Sequence, residues 1–266
     1  MGKRIKGNNV EGHIVSLILC CALALAGRAQ QDTAILLIHG LAGASSTWTE
    51  LTKALPTEKY TYRGNYKMTS STSFFFQNRA FSTRTGSSPV YTLDFSDNQN
   101  LSFEAQGDEI ARIIQDLSLR HGIKEVVLMG HSMGGLAARA YLQKYGESKI
   151  AGYVSITTPH LGSYAGEILF SEAKARDQDF LTRQANRVQS FLASIIAIPL
   201  PTNLIDERAL VANFIEKELG LSIDAQAVQY LHPASAEMKA LYQQQFPENL
   251  PTVTVVSNWK PQVGQV

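Results

Sequence analysis

Cysteine is almost absent. The 266 residues hold two, Cys20 and Cys21, side by side in an apolar run near the amino terminus. A disulfide framework is excluded, and a chain that loses that run has no cysteine and relies on its core for stability. An excess of one charge is also missing: 24 Lys and Arg stand against 23 Asp and Glu, a net charge of +1. Nothing in that balance points to nucleic acid or to an acidic surface as partner. No segment past residue 30 approaches the ~20 apolar residues of a membrane span. Internal repeats and low-complexity tracts are lacking. The last nine residues, Asn258 to Val266, contain no Asp, Glu or His. Hydrophobic residues, at 44%, suffice for a sizeable core, and the length suits one α/β domain.

The amino-terminal end has its own pattern. Lys3, Arg4 and Lys6 are followed by the thirteen-residue apolar run Ile14–Ala26, and small residues then offer cleavage points at Ala24-Leu25-Ala26 or Gly27-Arg28-Ala29. A positive segment, a short apolar run and small residues make a secretory signal peptide. The expectation is a leader over residues 1–29, a mature domain over 30–266, and a secreted or periplasmic location. Leu19 before Cys20 argues against a lipoprotein cleavage site.

The chemistry is concentrated in Gly130-His131-Ser132-Met133-Gly134-Gly135. The apolar run Glu125–Met129 before it reads as a buried strand, and Leu136–Leu142 after it reads as a helix. A G-x-S-x-G pentapeptide between strand and helix is a nucleophile elbow, in which glycines permit close approach of helix to strand while the serine is presented at the strand's end. Earlier, Ala34–Ile38 is a short apolar run that ends at His39-Gly40-Leu41. Acyl transfer needs two preorganised N–H donors for the oxygen that becomes negative. The residue after the nucleophile, Met133, and the loop after the early strand, at Leu41, are the candidates.

Three stretches together resemble the α/β-hydrolases of the bacterial lipase and esterase type: Ile35–Gly40, Val126–Gly135, and Ile156-Thr157-Thr158-Pro159-His160-Leu161-Gly162-Ser163. The last is similar to the T-P-H-x-G-S stretch of secreted triacylglycerol lipases. Leu231–Ser235 with Met238 and Leu241 resembles the segment leading to a later core strand. The resemblance implies an α/β fold, with a mostly parallel sheet, helices on both faces and a helical cap inserted over residues 164–230. It implies hydrolysis of a small-molecule or lipid ester through an acyl-enzyme at Ser132, with no metal or organic cofactor and with transient contact with lipid surfaces. A deacylase or thioesterase of the same fold is an alternative.

The same resemblance orders the triad as Ser, then Asp or Glu after the strand Val253–Ser257, then His. No such acid or histidine follows that strand here. His160 lies in a stretch that does not supply the base in these families, His232 precedes the strand, and His131 is the serine's own neighbour. Asp177, Asp179, Asp206 and Asp224 fall in the insertion and read as surface charges. Two readings stay open: a chain lacking its carboxyl-terminal part with the Asp and His, or a hydrolase-like scaffold that binds acyl or lipid ligands without turnover.

Alternating strand and helix signals complete the expected layout. Ser46–Leu55 reads as a short helix stopped by Pro56. Residues 60–88, rich in Ser, Thr, Asn and Gly, read as a long surface loop. Val90–Phe95 reads as a strand. A helix runs from an N-cap at Ser102 through Ile110, Ile113, Ile114 and Leu117 to Gly122. Ile150–Thr157 is the next strand. Val188–Ile196 and Ala209–Leu219 read as helices of the insertion, either a lid over the serine or packing on the sheet.

Overall fold

The computed structural model describes residues 32–56, 58–78, 88–163, 225–243 and 245–256. The leader, the insertion helices with their four aspartates, and the tail from Ser257 lie outside the described residues. Seven strands form one sheet: β1 (Thr33–Ile38), β2 (Tyr60–Ser70), β3 (Ser73–Asn78), β4 (Ser88–Asp94), β5 (Glu125–His131), β6 (Ile150–Ile156) and β7 (Thr252–Val255). Their order across the sheet is β3-β2-β4-β1-β5-β6-β7, and every neighbouring pair is parallel except β2 with β3.

The central strands are apolar without interruption because both faces are covered. On β1, Ala34, Leu36 and Ile38 join the larger core with Ile110, Ile113 and Leu117. Ile35 and Leu37 point the other way, to Trp48, Leu51, Met129 and Val154. The first of these faces is covered by α2 (Phe103–His121) and α3 (Met133–Tyr145), which pack on each other. The second is covered by a 3-10 turn (Ser45–Trp48) that continues into α1 (Thr49–Ala54).

Helix α2 has the expected ends. The Ser102 hydroxyl accepts the Ala105 N–H at 3.2 Å, and Gly122 closes the helix at φ 68°. Two short helices, α4 (Gln226–Tyr230) and α5 (Ala236–Gln243), close the third core. Arg139 fastens α5 to α3: its Nε donates to the Leu241 carbonyl at 3.2 Å, and its guanidinium lies 4.1 Å from the Tyr242 ring centroid.

The loop expected over residues 60–88 is a correction. Tyr60–Ser70 and Ser73–Asn78 are strands joined by a tight turn, and β3 is an edge of the sheet. Tyr66 is fully buried and meets Phe74 and Phe76 at ring-centroid distances of 5.2 and 4.7 Å, while Phe75 faces solvent. The Tyr66 hydroxyl also donates to Asp116 of α2 at 3.0 Å. After Asn65, the side chains of Tyr66, Met68, Phe74 and Phe76 face the core while Lys67, Phe75 and Gln77 are exposed, and three consecutive phenylalanines conceal the alternation.

Candidate active site

Strand β5 runs from the sheet centre into Ser132, and α3 starts at the next residue. Ser132 has φ 53° and ψ −126°, a strained conformation for a residue with a side chain. The strain is imposed from both sides. Its N–H donates to the Ile156 carbonyl of β6 at 2.8 Å, and its carbonyl accepts the Gly135 N–H at 3.0 Å. The flanking glycines are required sterically: a Cβ on Gly130 would lie 2.4 Å from the Gly135 nitrogen, and one on Gly134 2.4 Å from the His39 carbonyl oxygen. Backbone is therefore in contact with backbone on both sides of the serine, and the hydroxyl has no hydrogen-bond partner among the described residues.

The loop after β1 faces this serine. A Cβ on Gly40 would sit 2.9 Å from Ser132 Cβ and 3.4 Å from its Oγ. The Leu41 N–H has no backbone acceptor among the described residues. The Met133 N–H opens α3 and has no acceptor within the helix, where the macrodipole is positive. Leu41 and Met133 are themselves buried, and their side chains share the third core with Leu136, Val228 and Leu231.

The described histidines are engaged elsewhere. His131 lies edge-on to Trp48 at 6.3 Å, and burial, with His39 nearby, holds its imidazole down to about 4. His39 is buried and likewise pushed below the usual imidazole range by desolvation. The His160 ring lies 3.0 Å from both the Ser155 and the Tyr242 hydroxyl oxygens, which ties the loop after β6 to α5, and burial lowers its pKa. His232 accepts the Ala234 N–H at its Nδ1. None of these rings hydrogen-bonds to Ser132.

A family model described as an alpha/beta hydrolase of unknown function (DUF915) matches residues 24–193. The chain belongs to this family. No curated protein matches this alpha/beta hydrolase in sequence. Among solved structures it is similar to the lin2722 product of Listeria innocua, at 16% identity over 84% of this chain and 98% of the other, with a TM-score of 0.44. The mature Bacillus licheniformis lipase BlEst2 is 15% identical over 72% of this chain and 76% of that one, with a TM-score of 0.37. A metagenomic carboxyl esterase, MGS0156, is 13% identical over 85% and 50% of the two chains, with a TM-score of 0.43.

Sequence reasoning missed the residues that brace the loop after β1. The segment Phe95–Asn98, after β4, and Glu109 of α2 are the main ones. Asn98 donates its side-chain amide to the Gly43 carbonyl at 2.7 Å, and the Phe95 N–H reaches His39 Nε2 at 3.4 Å. Glu109 is fully buried on the apolar face of α2. A carboxylate at a core position of an amphipathic helix is the signal that was available.

Proposed function

We propose that this alpha/beta hydrolase cleaves carboxylic esters with Ser132 as its nucleophile. The observation that carries the reading is the strained serine itself: it ends a central strand, begins a helix, and among the described residues its hydroxyl has no partner and the Leu41 and Met133 N–H groups beside it have no backbone acceptor. Backbone strain of this kind persists where the surrounding structure over-determines it, and it clusters at reactive sites.

In this mechanism Ser132 Oγ attacks the ester carbonyl carbon and gives up its proton to a base. The carbonyl oxygen becomes negative and takes hydrogen bonds from the Leu41 and Met133 N–H groups. Collapse expels the alcohol and leaves an acyl-enzyme, and water then releases the acid. Donors fixed in advance need no reorganisation as the charge appears, and one such donor is worth about 10²–10³ in rate. A serine hydroxyl is weak without a base, and the base and its orienting acid are not assigned to any described residue. An exported enzyme acting on small or lipid esters is the setting that agrees with the signal-peptide pattern.

The test is hydrolysis of p-nitrophenyl butyrate together with labelling by a fluorophosphonate probe. Activity and labelling at Ser132 are both expected to vanish in Ser132→Ala, with the fold retained. Labelling at another residue, or hydrolysis that survives the alanine, refutes the assignment. Binding of a fatty acid without any turnover favours the acyl-binding scaffold instead.

A further inference from the structure

We infer that Glu109 is a positioning residue for the Gly40–Leu41 peptide, acting through the Phe95–Ser96 backbone and the ring of His39. The inference rests on the reading of the Leu41 N–H as an oxyanion donor.

Glu109 sits among Ile110, Ile113 and Phe103 on the buried side of α2. Burying a carboxylate there is costly unless its oxygens are fully engaged. Among the described residues no basic side chain forms an ion pair with it. Both of its oxygens go to one residue instead: Oε2 accepts the Ser96 N–H at 3.1 Å, and Oε1 accepts the Ser96 hydroxyl. Two bonds to one residue fix the orientation of the backbone at Ser96, and with it the peptide before it.

That preceding peptide presents the Phe95 N–H to His39 Nε2 at 3.4 Å. An N–H donor makes Nε2 the acceptor, so the neutral ring carries its proton on Nδ1. Nδ1 then donates to the Gly40 carbonyl at 2.8 Å. The same carbonyl accepts the Gly43 N–H at 3.0 Å, and Asn98 holds the Gly43 carbonyl in turn. A trans peptide points its C=O and the following N–H in opposite directions. With the Gly40 oxygen tied to the His39 ring, the Leu41 N–H faces away from that ring and is left without a backbone acceptor. Segment 95–98 thus grips the loop at His39 and at Gly43, and Glu109 holds the segment from a helix anchored in the core. This arrangement explains why a carboxylate, rather than a leucine, occupies that position of α2.

The experiment combines side-chain nitrogen NMR with kinetics on the full chain. In protein labelled with ¹⁵N-histidine, His39, identified by its loss in His39→Gln, is expected as the neutral Nδ1–H tautomer. Glu109→Ala should remain folded by circular dichroism and yet lose that single-tautomer signature. Its kcat on p-nitrophenyl butyrate should fall about 10–100-fold with KM within about threefold, because a tilted donor forfeits part of what a deleted one would. Glu109→Gln keeps an acceptor for the Ser96 N–H and should retain the signature, with kcat within about threefold of wild type by the same reasoning. A folded Glu109→Ala whose His39 signature is unchanged overturns the inference, whatever its activity. Should Glu109→Ala fail to fold, Ser96→Ala deletes only the hydroxyl bond and must shift the His39 signature in the same sense. An unchanged signature in that variant overturns the inference too. Wild-type protein without esterase activity would sink the functional reading, while the tautomer, readable without turnover, decides the link from Glu109 to His39 on its own.

Discussion

Replacing Gly134 by alanine sets two physical effects against each other with opposite signs. Gly134 is the second residue of α3, and helix propensity alone favours alanine by about 1 kcal/mol. The new Cβ, however, would lie 2.4 Å from the His39 carbonyl oxygen and 2.5 Å from that of Ile38. Both are backbone atoms of the central strand β1 and its exit, so neither can swing aside as a side-chain tip would. Overpacking of a well-filled core costs typically 1–3 kcal/mol and occasionally more, and two backbone contacts this short place the variant at the upper end. Set against the propensity gain, the expected net loss is about 2 kcal/mol, or roughly 4–8 °C in Tm for a domain of this size. Moving α3 off β1 also displaces Met133 from the His39–Leu41 loop, so ester hydrolysis should fall together with stability. Gly122→Ala is the matched control. It has nothing within 4 Å but a φ of 68°, so it should lose only about 1 kcal/mol and leave hydrolysis unchanged. Thermal unfolding of the two variants beside wild type reads the sign directly. A Gly134→Ala protein as stable as wild type, or more so, would show that helix propensity outweighs the contact and that the elbow is not closed as described.

Three further outcomes follow from the same structure. Burial holds the folded His131 imidazole down to about 4, whereas an unfolded chain takes up that proton near 6.5. Between those values the unfolded state binds more protons, so Tm should drop as pH falls from about 6.5 towards 4, and His131→Asn should flatten part of the slope; a Tm independent of pH there refutes the burial argument. Arg139→Ala removes one hydrogen bond to Leu241 and the contact with the Tyr242 ring, which should cost about 1–3 kcal/mol in denaturant unfolding; no change in midpoint would mean that α5 docks without it. On expression in a bacterium with a secretion pathway, the mature chain should begin near Gly27 or Gln30, and a soluble cytoplasmic product retaining residues 1–29 by mass spectrometry would remove the export proposal.

Elements whose residue pattern is locally complete were legible along the chain. The runs Ala34–Ile38 and Val126–Met129 are apolar throughout because strands covered on both faces need no polar side, and each was readable as a buried strand. Ser102 and Gly122 bound α2 in the sequence as they do in the structure, since a cap and a left-handed stop are chemical properties of single residues. The elbow was legible for the same reason: only very small residues tolerate backbone at 2.4 Å, so Gly130 and Gly134 announce the contact before it is seen. What depends on a partner distant in the chain became visible only in the fold. The β2–β3 hairpin looked like a loop because Lys67, Phe75 and Gln77 are exposed between its packed residues, and its buried Tyr66 meets Tyr91 and Asp116, which the local pattern does not contain. Glu109 went unread, because its partner Ser96 reaches it only in the fold. His39, part of a motif read for its backbone, also bonds the Gly40 carbonyl through its ring, which the Phe95 N–H reaches from 56 residues away. Spacing along the chain reports what one element needs for itself, whereas the hydrogen bonds that orient the loop beside Ser132 exist only after three separate elements have met.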